Sequence, residues 1–150
     1  MKYNGNSIVL ETREIELPRS TGAMRLTVSA VSVGVRRDFD ALYPKPNAPT
    51  IVTESKSGRK TETNWDDPKW RKELEDREYL QNIYIVYRVL NNDRNLSFDN
   101  APTSIDALKA LAKEFAESGF SEGDLLMILR EALKASNLSQ EEIEAAKKGF

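Results

Sequence analysis

The side chains here that could do chemistry are carboxylates and cations. Acidic neighbours stand at Asp66 and Asp67, at Glu73 and Asp76, and at Glu141 and Glu142. Paired carboxyls serve as general acid and base when their environments push their pKa values apart. These pairs fall at expected helix starts or on solvent-facing helix sides, where charge is favoured for electrostatic reasons alone, and none reads as an acid/base dyad. Lys56, Arg59 and Lys60 gather in SKSGRK. They could hold a phosphate, but the glycine spacing of a phosphate loop after a strand is missing, and a solvated loop has the same composition. NNDRN at 91–95 lacks the ladder of oxygen ligands that calcium takes. With no histidine and no cysteine among 150 residues, the usual nucleophiles, general bases and soft metal ligands are missing. The residues therefore assign no catalytic group, no metal ligand and no cofactor, and they point to a non-catalytic interaction protein.

Bulk properties narrow the partners. Twenty-four acidic against 22 basic residues leave a net charge of −2, so no global field draws in nucleic acid or anionic lipid. No stretch approaches the roughly 20 apolar residues that cross a bilayer, and Met1 to Gly5 does not read as an export signal. The expectation is a protein of a reducing compartment, without a membrane partner and with nucleic acid disfavoured.

The elements that must position any surface follow from periodicity. Residues 7–53 are rich in Val, Ile, Thr and Leu in short alternating runs. Ile8, Leu10 and Thr12 share one face and Ile15 and Leu17 the other, which implies a register change. Met24, Leu26 and Val28 then alternate after a turn at RSTG, 19–22, before Val31, Val33 and Val35 shift face. RRDFDALYP reads as one helical turn closed by Pro44. Three prolines at 44–49 and a polar run to Asp67 read as a linker, mobile over 54–67. Asp67 followed by Pro68 is an N-cap with proline at the first helical position, so a long helix starts there. Its second half carries Tyr79, Leu80, Ile83, Tyr84, Val86, Tyr87 and Leu90 in one broad arc, with Gln81, Asn82 and Arg88 outside it. Thr103 and Ser104 open a helix with an apolar stripe at Ile105, Leu108, Leu111, Ala112, Phe115 and Ala116, ended by Gly119. Ser121 with Asp124 opens the next, lined by Leu125, Ile128, Leu129, Ala132 and Leu133, and Ser139 with Glu142 opens a last one with Ile143, Ala146 and Phe150. The predicted fold is α+β: a small N-terminal antiparallel β-sheet, one long central helix and a C-terminal unit of three short antiparallel helices. Residues 1–53 form a β-rich region, 54–67 the linker and 68–150 the helical region, compatible with one domain overall.

Three apolar residues fall off the expected core faces. Trp70 and Leu74 point away from the main arc of the long helix, amid Lys69, Arg71, Lys72, Glu73, Glu75 and Asp76. Met127 lies on the polar side of its helix. Trp70 packing on the protein's own sheet is the simpler account, but an apolar pair ringed by charge is also what an interface anchor looks like. Trp70, Leu74 and Met127 are therefore the candidate partner-binding residues.

The order of these pieces carries a resemblance. LETREIELPRSTGAMRLTV, SVGVRRDFDALYPKPNAP, DDPKW and the closing GFSEGDLLMILREALKASNLSQEEIEAAKKGF resemble small proteins of tailed bacteriophages that are grouped with tail assembly chaperones. The resemblance covers most of the chain. It implies a chaperone in the host cytoplasm that keeps the long tape measure protein soluble and helps recruit tail tube protein, with a homo-oligomer compatible. The alternative is a structural virion or head-to-tail accessory protein that adds its sheet to a neighbour's by edge pairing.

Overall fold

A computed structural model describes residues 1–137 and 140–149, with side chains in the last helix for 141–145. The fold is α+β, as the periodicity predicts: among the described residues there are small antiparallel sheets and five helices, one of them long and central. The strands form separate two-stranded hairpins instead of one sheet. β1 (Lys2–Tyr3) and β2 (Asn6–Ser7) turn through Asn4 and Gly5. Both turn residues have positive φ, 48° and 79°, the backbone that Asn-Gly favours in tight hairpins.

The hairpin of β3 (Thr12–Leu17) and β4 (Met24–Ser29) pairs Ile15 with Leu26 and Leu17 with Met24 across the predicted turn, where Gly22 N–H donates to Arg19 C=O. Alternation puts Ile15, Leu17, Leu26 and Val28 in the core. The strand begins later than the sequence suggests, because Ile8, Val9 and Leu10 lie exposed outside any strand. No register change is needed. The expected continuation through Val31 and Val33 also ends early: Val33 is fully exposed and Val35 already belongs to α1 (Val35–Leu42).

Residues 54–67, expected as part of a linker, instead contribute to a third hairpin, β5 (Thr50–Ser55) with β6 (Gly58–Thr63). Every residue of both strands is exposed. With no apolar face to bury, the segment has the composition of a loop, which is why periodicity misses it.

α2 (Pro68–Leu90) begins as the sequence dictates, with the Asp67 carboxylate accepting from Trp70 N–H and Pro68 in the first turn. Its burial is wider than the expected arc. Gln81 is buried, as are Ile85, Val89 and Arg77, while Tyr79 is not. α1, β4, α3 (Ile105–Glu117) and α4 (Glu122–Ala135) all pack around it, so the second half of the helix has little solvent side left. Arg77 enters the interior because α1 supplies partners. Its guanidinium bonds Asp40 and the Tyr43 carbonyl and lies 4.9 Å from the Phe39 ring centre.

α3 starts at Ser104, whose hydroxyl accepts from Ala107 N–H, and is followed by Gly119 at φ 85°. α4 opens with a full capping box, Ser121 and Asp124 each bonding the other's backbone N–H. The expected antiparallel three-helix unit is not self-contained: among the described residues α3 and α4 each pack on α2, and α5 (Gln140–Gly149) packs on α4. Short helices need a face to cover, and α2 provides one longer than they offer each other. Ser139, and with it the expected cap to Glu142, lies outside the described residues, and Ala146 and Phe150 lie outside the described side chains. One continuous apolar cluster runs from Ile15, Leu17, Leu26 and Val28 through α1 and α2 to Phe115, Leu133 and Ile143, so sheet and helices share a core.

Candidate partner-binding site

Because α3 and α4 each pack on α2, the surface between them forms a groove. Tyr79 stands in it. It lines three adjoining depressions among the described residues: one against α3 with Tyr43, Asp76, Leu80, Lys109 and Ala112, one against α4 with Asn82, Ile83, Val86, Leu125, Leu126 and Leu129, and one between the two with Phe115, Phe120 and Glu122. These open depressions measure about 270, 80 and 350 Å³ in that order. Tyr79 is 52% and Leu126 50% exposed, so two large apolar side chains face solvent beside a floor of buried ones. Asp76, Glu122 and Lys109 also line the groove. A mostly apolar surface with charged residues among its lining suits the apolar stripe of a helix.

The groove walls are fixed by polar ties. Arg19, in the β3–β4 turn, bonds Asp124 at 2.7 Å and lies over the Phe120 ring. Burial raises the Asp124 carboxyl, but the Ser121 N–H, the Arg19 guanidinium and the Ser121 hydroxyl together hold it below the usual carboxylate range. Glu114 on α3 accepts from Asp99 N–H, Asn100 N–H and the Asn100 side-chain amide. Burial raises Glu114 too, and these bonds bring it below its ordinary value. Both carboxylates are therefore structural clamps, held ionised, not acids poised to give up a proton near neutrality.

The candidates named from sequence fall elsewhere. Trp70 is half-buried: its indole N–H donates to the Pro46 carbonyl at 3.1 Å and its ring sits 5.6 Å from that of Trp65. It ties the proline segment and the base of the third hairpin to α2. Leu74 is half-buried, and Met127 is 39% exposed but lines none of the three depressions. Sequence reasoning assigned Tyr79 to the buried arc and passed over Leu126. A signal for Leu126 existed in DLLMIL, which holds more apolar residues in succession than one helix face can bury.

The acidic pairs do not converge. Asp66 bonds Arg71 and Asp67 caps α2, while among the described residues no group of three or more His, Cys, Asp or Glu is placed to hold a metal. Arg59 pairs with Glu54 and Lys60 with Glu62, each at 3.0 Å, so two of the three clustered cations are neutralised on their own hairpin. Asp93, in NNDRN, is buried and spends its oxygens on Thr27 N–H and Asn95 N–H. Among the described residues no helix is long and apolar enough to cross a membrane. Compared with protein-family models, curated proteins and solved structures, the chain matches none.

Proposed function

We propose that this protein is a non-catalytic tail assembly chaperone that takes an apolar helical stretch of a tape measure protein into the groove around Tyr79 and Leu126, keeps that client soluble in the host cytoplasm and assists tail tube assembly around it. The observation that carries the reading is the groove itself, a mostly apolar surface with two exposed apolar side chains and charged residues among its lining. A tape measure protein is long and rich in amphipathic helix, and its unassembled stripes need temporary cover of this shape. The resemblance of the chain to phage tail chaperones supplies the client.

Co-expression tests the proposal. The chain should raise the soluble fraction of the tape measure protein and be missing from purified particles. Tyr79→Ala with Leu126→Asp should abolish the solubilisation while helical content is kept. An unchanged soluble fraction with this double variant rejects the groove.

The alternative, a structural virion or head-to-tail accessory protein, draws on the exposed β5–β6 hairpin, whose edges are free for pairing. It requires the chain to appear in particles at fixed stoichiometry.

A further inference from the structure

The β5–β6 hairpin poses a physical problem. A two-stranded ribbon with no covered face is marginal in water at best, yet here both strands are exposed along their whole length, with Ile51 and Val52 about half exposed. Its backbone shows what would complete it. Asn64 N–H donates to Pro49 C=O, and in the register that pairs Ile51 with Glu62 and Thr53 with Lys60 the bonded positions alternate from there. The peptide groups of Arg59, Thr61 and Thr63 therefore face outward from β6.

We infer that β6 pairs antiparallel with β6 of a second copy of this chain about a twofold axis at Thr61, making a four-stranded sheet. A twofold axis perpendicular to a sheet requires one residue to pair with itself. With Thr61 opposite Thr61 of the second copy, Arg59 meets Thr63, and these outward-facing positions are the ones that exchange hydrogen bonds. Lys60 then falls opposite Glu62 of the second copy, twice, at the non-bonded sites where side chains approach most closely. Each hairpin already pairs its own Lys60 and Glu62 on one face, so the joined sheet carries a square of alternating charge. Moving the axis to Lys60 or to Glu62 opposes like charges and turns inward-facing peptide groups to the seam. Moving it to Arg59 also opposes like charges, and moving it to Thr63 loses the Lys60–Glu62 match and runs the seam past the end of β6 into Asn64 and Trp65, so Thr61 is the centre that keeps both the outward-facing groups and the ion pairs. The β5 edge lacks this match: centred on Val52, it sets Thr50 against Glu54 and Ile51 against Thr53, with no ion pair. The occupant is thus a second copy through β6, independent of the groove and of the client proposed for it.

The absence of native cysteine makes single-cysteine variants of the full chain clean reporters. Thr61→Cys should form an intermolecular disulfide within minutes of mild oxidation, while Val52→Cys and the hairpin-tip variant Ser57→Cys should lag about tenfold or more, because only the Thr61 pair lies within disulfide reach. Sedimentation of the unmodified chain should show a dimer. Lys60→Glu should weaken it about tenfold or more by facing Glu62 with a like charge, and Lys60→Glu combined with Glu62→Lys should restore it. Circular dichroism of each variant checks that the helical body is intact. A chain that stays monomeric at high concentration, a Val52→Cys variant that cross-links first, or a Lys60→Glu variant that dimerises unchanged each overturns the inference. Solubilisation of the tape measure protein by Lys60→Glu separates this outcome from failure of the groove.

Discussion

Asp124 does the most work of any single side chain near the groove. It closes the capping box of α4 and holds Arg19 of the β3–β4 turn. Its folded-state pKa lies below its ordinary value near 3.8, so the unfolded chain binds the proton more readily. The stabilisation is therefore complete above the unfolded pKa and is lost as pH falls through the depressed folded value. Asp124→Asn should lower stability by about 1–3 kcal/mol at pH 7 and flatten the acid limb of a melting-temperature profile against pH. A variant whose profile keeps the full acid slope would show that other carboxylates carry it. Trp70 and Leu74 allow a second test of assignment. Since Trp70 is tied to Pro46 and Trp65, replacing both residues by Ala should cost about 2 kcal/mol of stability or more and leave capture of the tape measure protein unchanged under conditions where the protein is folded. Loss of capture without loss of melting temperature would return the partner surface to Trp70 and Leu74.

Elements set by local chemistry were legible in the sequence, and elements set by long-range partners were not. Asp67–Pro68, Ser104, Ser121 with Asp124, and Gly119 mark helix ends through bonds spanning a few residues, so spacing alone finds them. The β3–β4 hairpin was readable because one face is buried and period two survives. Gln81 reads as lying outside the apolar arc of α2 until α1, β4, α3 and α4 surround the helix and bury it, and Arg77 with it. The groove was invisible for the same reason, since it exists only where α3 and α4 lie apart on a shared support. The outer edge of β4 is also closed to pairing in a way no pattern reveals. Asp93, from the loop after α2, takes Thr27 N–H at 2.6 Å, and the Ser136 hydroxyl takes Val31 N–H at 3.0 Å. Such plugs keep neighbouring strands off an edge. Asp93→Ala should cost about 1–3 kcal/mol by stranding the Thr27 and Asn95 amides, and hydrogen exchange at Thr27 should speed up more than at Leu26. Equal acceleration at both would mean global destabilisation without a local plug.

One core and one bare arm divide the molecule energetically. Leu17 on β3, Leu111 on α3 and Leu133 on α4 all belong to the same buried cluster, so the β3–β4 hairpin and the helices have no separate interiors in which to melt independently. The arm at 50–63 adds no side chain to that cluster. What anchors it is at its base, where Trp65 meets Trp70 and Asn64 bonds Pro49. Leu17→Ala should therefore cost about 2–5 kcal/mol, as expected for a buried leucine, and should lower the melting of helical and aromatic signals together. Replacing residues 51–62 by a short glycine-serine turn should shift the melting temperature of the monomer by only a few degrees, because area never buried cannot be lost. Thermal denaturation at low concentration, where self-association through the arm contributes nothing, is the measurement that separates these cases. A large destabilisation on removing the arm would mean that it braces the proline segment and the start of α2, and that Trp65 and Trp70 extend the core toward the hairpin instead of ending it.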